Sequence, residues 1–131
     1  MKKLFYVTLV SFVLTGFRSE GQTTQLTGAQ ILRSARTIYD QGRLHELPTL
    51  LEEALSKERF QSVNERVEAY RILILTYIYL EEPAKADENM LQLLGTDNFF
   101  KPIESDQVEF KNLYNKFRTR PVFSVGLRAG L

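Results

Sequence analysis

"EAYRILILTYIYLEEPAKADENMLQLL", residues 68–94, holds the choice between helix and strand for the whole chain. Its centre, "ILILTYIYL" at 72–80, is rich in β-branched and aromatic residues, the composition of a strand. Three features argue for helix instead. The run continues without a break from "NERVEAYR", and Tyr70, Leu73, Tyr77 and Leu80 keep helical spacing. Glu82-Pro83 then breaks and restarts the chain, with Pro83 at a first helical position, where its missing N–H costs least. After it Ala86, Met90, Leu93 and Leu94 form one stripe, and Gly95 is placed to end it. The run between Arg71 and Glu81 is too short to span a bilayer, and a helix apolar all round belongs at the centre of a bundle.

Working outward, the same period recurs. Ile31, Ala35, Ile38 and Tyr39 share one helical face after Thr27, a candidate N-cap, and Gly42 suits the left-handed residue that ends such a helix. Leu44, Leu47, Leu51, Ala54 and Leu55 make a second stripe, with Pro48 in its first turn. "SVNE", 62–65, is a capping box opening the third segment. "TDNFFKPIES" is a loop whose Phe99 and Phe100 are expected to fold back over the last helix pair. Asp106 with Glu109 reads as the cap of a fifth helix carrying Phe110, Leu113, Tyr114 and Phe117. The expected helices are about 28–41, 44–56, 63–80, 83–94 and 106–117.

At 44% apolar and 25% charged residues, the chain has the composition of a folded domain. Its start differs. Met1-Lys2-Lys3 is basic, "LFYVTLVSFVLTGF" (4–17) is apolar, and Ser19-Glu20-Gly21 offers small residues for cleavage. This is the pattern of an export signal over 1–21, leaving Gln22 first, with cleavage after Gly16 as the alternative. Its removal takes Lys2, Lys3, Arg18 and Glu20 from 17 basic and 16 acidic side chains and leaves a net charge of −1. No global field then favours nucleic acid or anionic lipid. Cysteine is absent, which removes disulfides, thiolate chemistry and a lipid-bearing cysteine after the apolar run.

Enzymatic patterns are weak. His45 is the single histidine, without a cysteine or second histidine to build a zinc site, and it reads as a solvated or capping residue. Glu52-Glu53 and Glu81-Glu82 are neighbours whose side chains diverge on a helix and cannot converge on one bond. There is no glycine-rich phosphate loop and no nucleophile elbow. The expectation is a non-enzymatic chain without catalytic residues, metal or cofactor.

The closing residues change character. From Val122, the side chains of Phe123, Val125, Leu127, Ala129 and Leu131 point to one face of a strand. Val122, Ser124, Gly126, Arg128 and Gly130 point to the other. One apolar and one small or polar face fits a membrane β-barrel strand, which needs about 9–11 residues. It also fits a soluble edge strand lying on the helices. Pro121 stands where a strand tolerates proline.

The helices pair, one with two and three with four, and the second pair follows the tetratricopeptide pattern. Tyr70, Leu73, Ile74, Tyr77, Ala86, Met90 and Leu93 fall on signature positions, Ala86 taking the close-contact site of the second helix. Ile74 replaces the usual small residue, and Asn98 stands where proline is common. Ile31, Ala35, Ile38, Leu47, Leu51 and Ala54 match more loosely, offset by 39 positions against a usual period of about 34. With the leader and "EFKNLYNKFRTRPVFSVGLRAG" (109–130), nearly the whole chain resembles Bacteroidota envelope proteins. In these a short periplasmic tetratricopeptide-like segment precedes an outer-membrane β-barrel or another envelope module. The resemblance implies an all-α domain over 22–118, made of two such hairpins and a capping helix, after a signal helix (1–21). A lone strand at 119–131 would be the truncated start of a barrel.

It further implies a protein-interaction or scaffold module, exported to the periplasm or outer membrane of a Gram-negative bacterium. The module would bind an envelope protein or peptide and no nucleic acid, and would be attached to the membrane through the barrel. The alternative is a self-contained soluble helical protein that oligomerises through its C-terminal strand. In tetratricopeptide stacks the first helix of each pair lines the concave face. That gives Leu32, Arg36 and Tyr39 from one pair and Glu68, Arg71, Leu75, Ile78 and Tyr79 from the other. Arg36, Tyr39, Arg71, Leu75 and Tyr79 are the candidate binding groove, arginine and tyrosine being the types that anchor interfaces.

Overall fold

The structure is a computed structural model and describes residues 25–118. The expected signal segment (1–21) and the C-terminal strand (119–131) lie outside the described residues. Within 25–118 the chain is all-helical. It comprises α1 (Gly28–Asp40), a 3-10 turn (Leu44–Glu46), α2 (Leu47–Ser56), α3 (Val63–Tyr79), α4 (Pro83–Thr96) and α5 (Val108–Arg118).

Local chemistry explains the starts. Thr27 Oγ1 accepts from the Gln30 N–H at 3.3 Å while Gln30 Oε1 accepts from the Thr27 N–H at 2.9 Å, a complete capping box. At α3 the arrangement differs from the expected box. Ser62 Oγ takes the Glu65 N–H at 3.1 Å, but Glu65 reaches one residue further back, to the Gln61 N–H. Pro48 has no N–H to offer the Leu44 carbonyl, which instead takes the Leu47 N–H; the entrance to α2 therefore tightens into the 3-10 turn.

Three helices end alike. Gly42, Glu58 and Glu81 all have positive φ, at 74°, 52° and 58°. Each donates its N–H three residues back, and the next residue donates five back: Arg43 to Ile38, Arg59 to Ala54, Glu82 to Tyr77. This paired bond closes the orphan carbonyls of a helix end around a left-handed residue. Glycine fills that position once; glutamate fills it twice.

Two expected boundaries move. Gly95 does not stop α4, which runs on to Thr96; Asp97 then turns extended and its Oδ1 captures the Phe99 N–H at 2.9 Å. That turn sends the two phenylalanines opposite ways. Phe100 packs beside Phe110 and Tyr114 with ring centroids 6.1 Å away, while Phe99 stays 91% exposed, contrary to the expectation that both fold inward. Asp106 does not cap α5, which begins at Val108: its carboxylate is held by the Ile103 N–H at 2.8 Å and by Arg71.

α3 is the centre. It touches α1, α2, α4 and α5, and Ala69, Ile72, Leu73, Ile74, Thr76 and Tyr77 are buried around its circumference. Thr76, the one buried polar side chain among the described residues, donates back to the Ile72 carbonyl at 2.7 Å. One apolar cluster joins α1, α2 and α3 through Ala35, Leu47, Leu51 and Leu73. A second joins α3, α4 and α5 through Ile74, Met90, Leu93 and Phe110. Phe60, in the link between α2 and α3, is buried in the first cluster. Beside it Gly28 permits a close approach: a methyl there would lie 2.8 Å from the Arg59 carbonyl oxygen and 3.1 Å from the Phe60 ring.

Candidate protein-binding face

The five groove residues stand on α1 and α3, which lie side by side. Helical spacing puts Arg36 and Tyr39 on one face of α1, and Glu68, Arg71, Leu75 and Tyr79 on one face of α3. Arg36 donates from Nε and Nη2 to Glu68 Oε1 at 3.3 and 3.2 Å. The other Glu68 oxygen takes Arg71 Nη1 at 3.4 Å, and Arg71 Nη2 reaches Asp106. Two arginines and two carboxylates thus alternate across α1, α3 and the approach to α5.

This chain of charges grades from wet to dry. The Arg36 side chain is 60% exposed, so its pair with Glu68 contributes at most about 1 kcal/mol. Asp106 is only 8% exposed, and the Arg71 guanidinium lies 5.7 Å over the Phe110 ring. Arg71 therefore serves as a structural tie that fastens the start of α5 to α3, with its stem and charge both engaged.

At the other end of the face, Tyr39 and Tyr79 meet edge to face, centroids 6.2 Å apart. Gln107 Nε2 donates to the Tyr39 hydroxyl at 3.4 Å. Burial pushes the Tyr39 phenol above its ordinary value, against the Gln107 hydrogen bond, which favours the phenolate. Tyr79 is 56% exposed. Leu75 packs against the second cluster.

The residues expected to share a face thus divide. Arg36, Tyr79 and part of Tyr39 remain open, whereas Arg71 and Leu75 are covered from the α5 side. Leu32 leaves the face altogether: it is buried in the first cluster. Ile78 packs against both clusters. Asp106 and Gln107, which reach this face from the loop before α5, were not legible as face residues in the sequence. Their local pattern signals a helix start, and only the path of the loop brings them to Arg71 and Tyr39.

Among the described residues, no group of three or more His, Cys, Asp or Glu side chains is arranged to hold a metal ion. His45 is exposed in the 3-10 turn. No described helix is long and apolar enough to cross a membrane. Comparisons with protein-family models, with curated proteins and with solved structures find no match to this chain.

Proposed function

We propose that the helical domain is a non-enzymatic interaction module of an exported envelope protein, built as two tetratricopeptide-like hairpins with α5 as the cap. The order of contacts supports the repeat. α1 packs on α2 and α3, α2 on α3, α3 on α4 and α5, and α4 on α5, so each pair stacks on the next in chain order. Positions 39 apart are buried alike: Ala35 with Ile74, Leu47 with Ala86, Leu51 with Met90, Ala54 with Leu93. The left-handed ends Gly42 and Glu81 keep the same offset.

The observation that carries the binding role is the open part of the α1–α3 face, where exposed Arg36 and Tyr79 flank the partly covered Tyr39. The residue types are those of interface anchors, and the shallow face suits an extended peptide or a flat protein surface. The leader-like segment 1–21 and the alternating pattern from Val122 support a periplasmic position beside an outer-membrane barrel. The partner is then another envelope protein or a peptide segment of one.

The test places a photo-crosslinking aromatic residue at Tyr79 in cells of the source type. A discrete crosslinked product is expected, lost when Arg36→Glu is added while the helical circular dichroism is unchanged. Crosslinking that ignores Arg36→Glu would count against this face. Arg71→Glu is unsuitable as the probe, because it would set a carboxylate against Asp106 and loosen α5.

A further inference from the structure

A second surface lies further along α5 from the Arg71 tie. Between the end of α3, the start of α4 and the outer stripe of α5 runs an open cleft of about 360 Å³. Its apolar floor and walls are Tyr77, Ile78, Pro83, Ala86 and Leu113. Its rim carries four carboxylates, Glu81, Glu82, Asp87 and Glu109. Lys85 pairs with Glu82 at 3.0 Å and Lys116 with Asp87 at 2.7 Å. Glu81 and Glu109 have no ion pair among the described residues. Glu81 is also held at positive φ, which keeps a charged side chain on the rim at a position that favours glycine.

We propose that this cleft takes residues 119–131 of the same chain, with Phe123 or Val122 on its apolar floor and Arg120 against the rim. Three observations point to that occupant. The volume is at the small end of ligand pockets and suits one or two side chains rather than a helix. The chemistry is complementary: residues 119–131 contain Arg120, Arg128, Val122, Phe123, Val125 and Leu127, and no acidic residue. The geometry allows it. Glu109, Asn112, Leu113 and Lys116 form one wall along α5, whose middle lies about 8 Å back from Arg118 at 1.5 Å per residue. Thr119 to Phe123 reach up to about 17 Å when extended.

Docking covers the apolar side chains of an alternating segment, a pattern that pairs edge to edge when left uncovered. In the envelope reading this is the state before barrel insertion, but the docking does not depend on that reading. A failed crosslink at Tyr79 would leave it intact, and its own failure would leave the α1–α3 face intact.

The chain contains no tryptophan, so Phe123→Trp in the full 131-residue chain reports this position alone. The expected result is blue-shifted emission, shielded from acrylamide and independent of protein concentration. Adding Glu81→Lys with Glu109→Lys, both on exposed residues, is expected to lower the docked-to-undocked ratio about fivefold. Tryptic cleavage after Arg128 in the chain with native Phe123 gives a second measurement. It should be slow, and faster in the charge-reversed variant. Emission of a fully solvated indole, or cleavage indifferent to the two reversals, would overturn the proposal. A docked fraction that rises with protein concentration would overturn it too, because it would assign the cleft to a second copy.

Discussion

Glu58 illustrates how much can turn on a single residue. It ends α2 at φ 52°, where a side chain costs roughly 1 kcal/mol or more relative to glycine. Glycine loses more chain entropy on folding, which offsets part of that. Glu58→Gly is therefore expected to stabilise the domain by about 0.5–1 kcal/mol and raise the melting temperature by a few degrees, read by thermal unfolding. An unchanged or lower melting temperature would show that the left-handed turn carries no strain there.

Tyr77 sets a pH dependence at the same scale. Its ring is buried, its hydroxyl donates to Glu52 on α2, and Lys85 lies 5.3 Å over its face. Burial and then the Glu52 carboxylate push its ionisation well above the ordinary value. The folded-state value is the higher one. The contribution is thus complete below the unfolded value of about 10 and is lost as pH rises through the folded value. Tyr77→Phe should cost about 1 kcal/mol at neutral pH, with exposed Glu52 returning to water. Above pH 10 the variant should lose stability less steeply than the parent, measured by urea unfolding at stepped pH. Parallel slopes would refute the assignment.

At the scale of elements, α5 is the piece whose attachment is most concentrated. Phe110 is buried against Ile74, Met90 and Leu93, Arg71 covers its ring, and the Tyr114 hydroxyl donates to the Phe100 carbonyl at 3.0 Å. Truncating a buried phenylalanine typically costs about 3–5 kcal/mol. Because α5 is joined to the rest largely through this cluster, Phe110→Ala should release α5 and the 97–107 loop before it unfolds α1 to α3. Hydrogen exchange would show the amides of α5 accelerated while those of α3 keep most of their protection. Equal acceleration in all helices would mean that the two clusters unfold as one unit.

Across the described residues, α3 joins the two clusters and touches α1, α2, α4 and α5. The consequence for function is a division of surface. The α1–α3 face is narrowed by the loop before α5, leaving Arg36, Tyr79 and part of Tyr39 open. The cleft beyond Leu113 forms where α5 stands away from the ends of α3 and α4.

Much of this was legible in the chain itself. Helical periodicity located every described helix, including the β-branched run of α3. Thr27, Ser62, Pro48, Pro83 and Gly42 acted as their local chemistry dictates, because caps and breakers work within a few residues of themselves. The tetratricopeptide resemblance, read with helical spacing, also supplied Arg36, Tyr39 and Tyr79 as candidate anchors. What the sequence did not contain was the path of the connections. That Leu32 turns inward, that Asp106 ties Arg71 instead of capping α5, that Phe60 is core, and that Gly28 is pressed against Arg59 all depend on contacts between segments distant along the chain. The left-handed Glu58 and Glu81 belong to the same class. Their own preference is against that conformation, and the helix packing on either side overrides a local cost of about 1 kcal/mol.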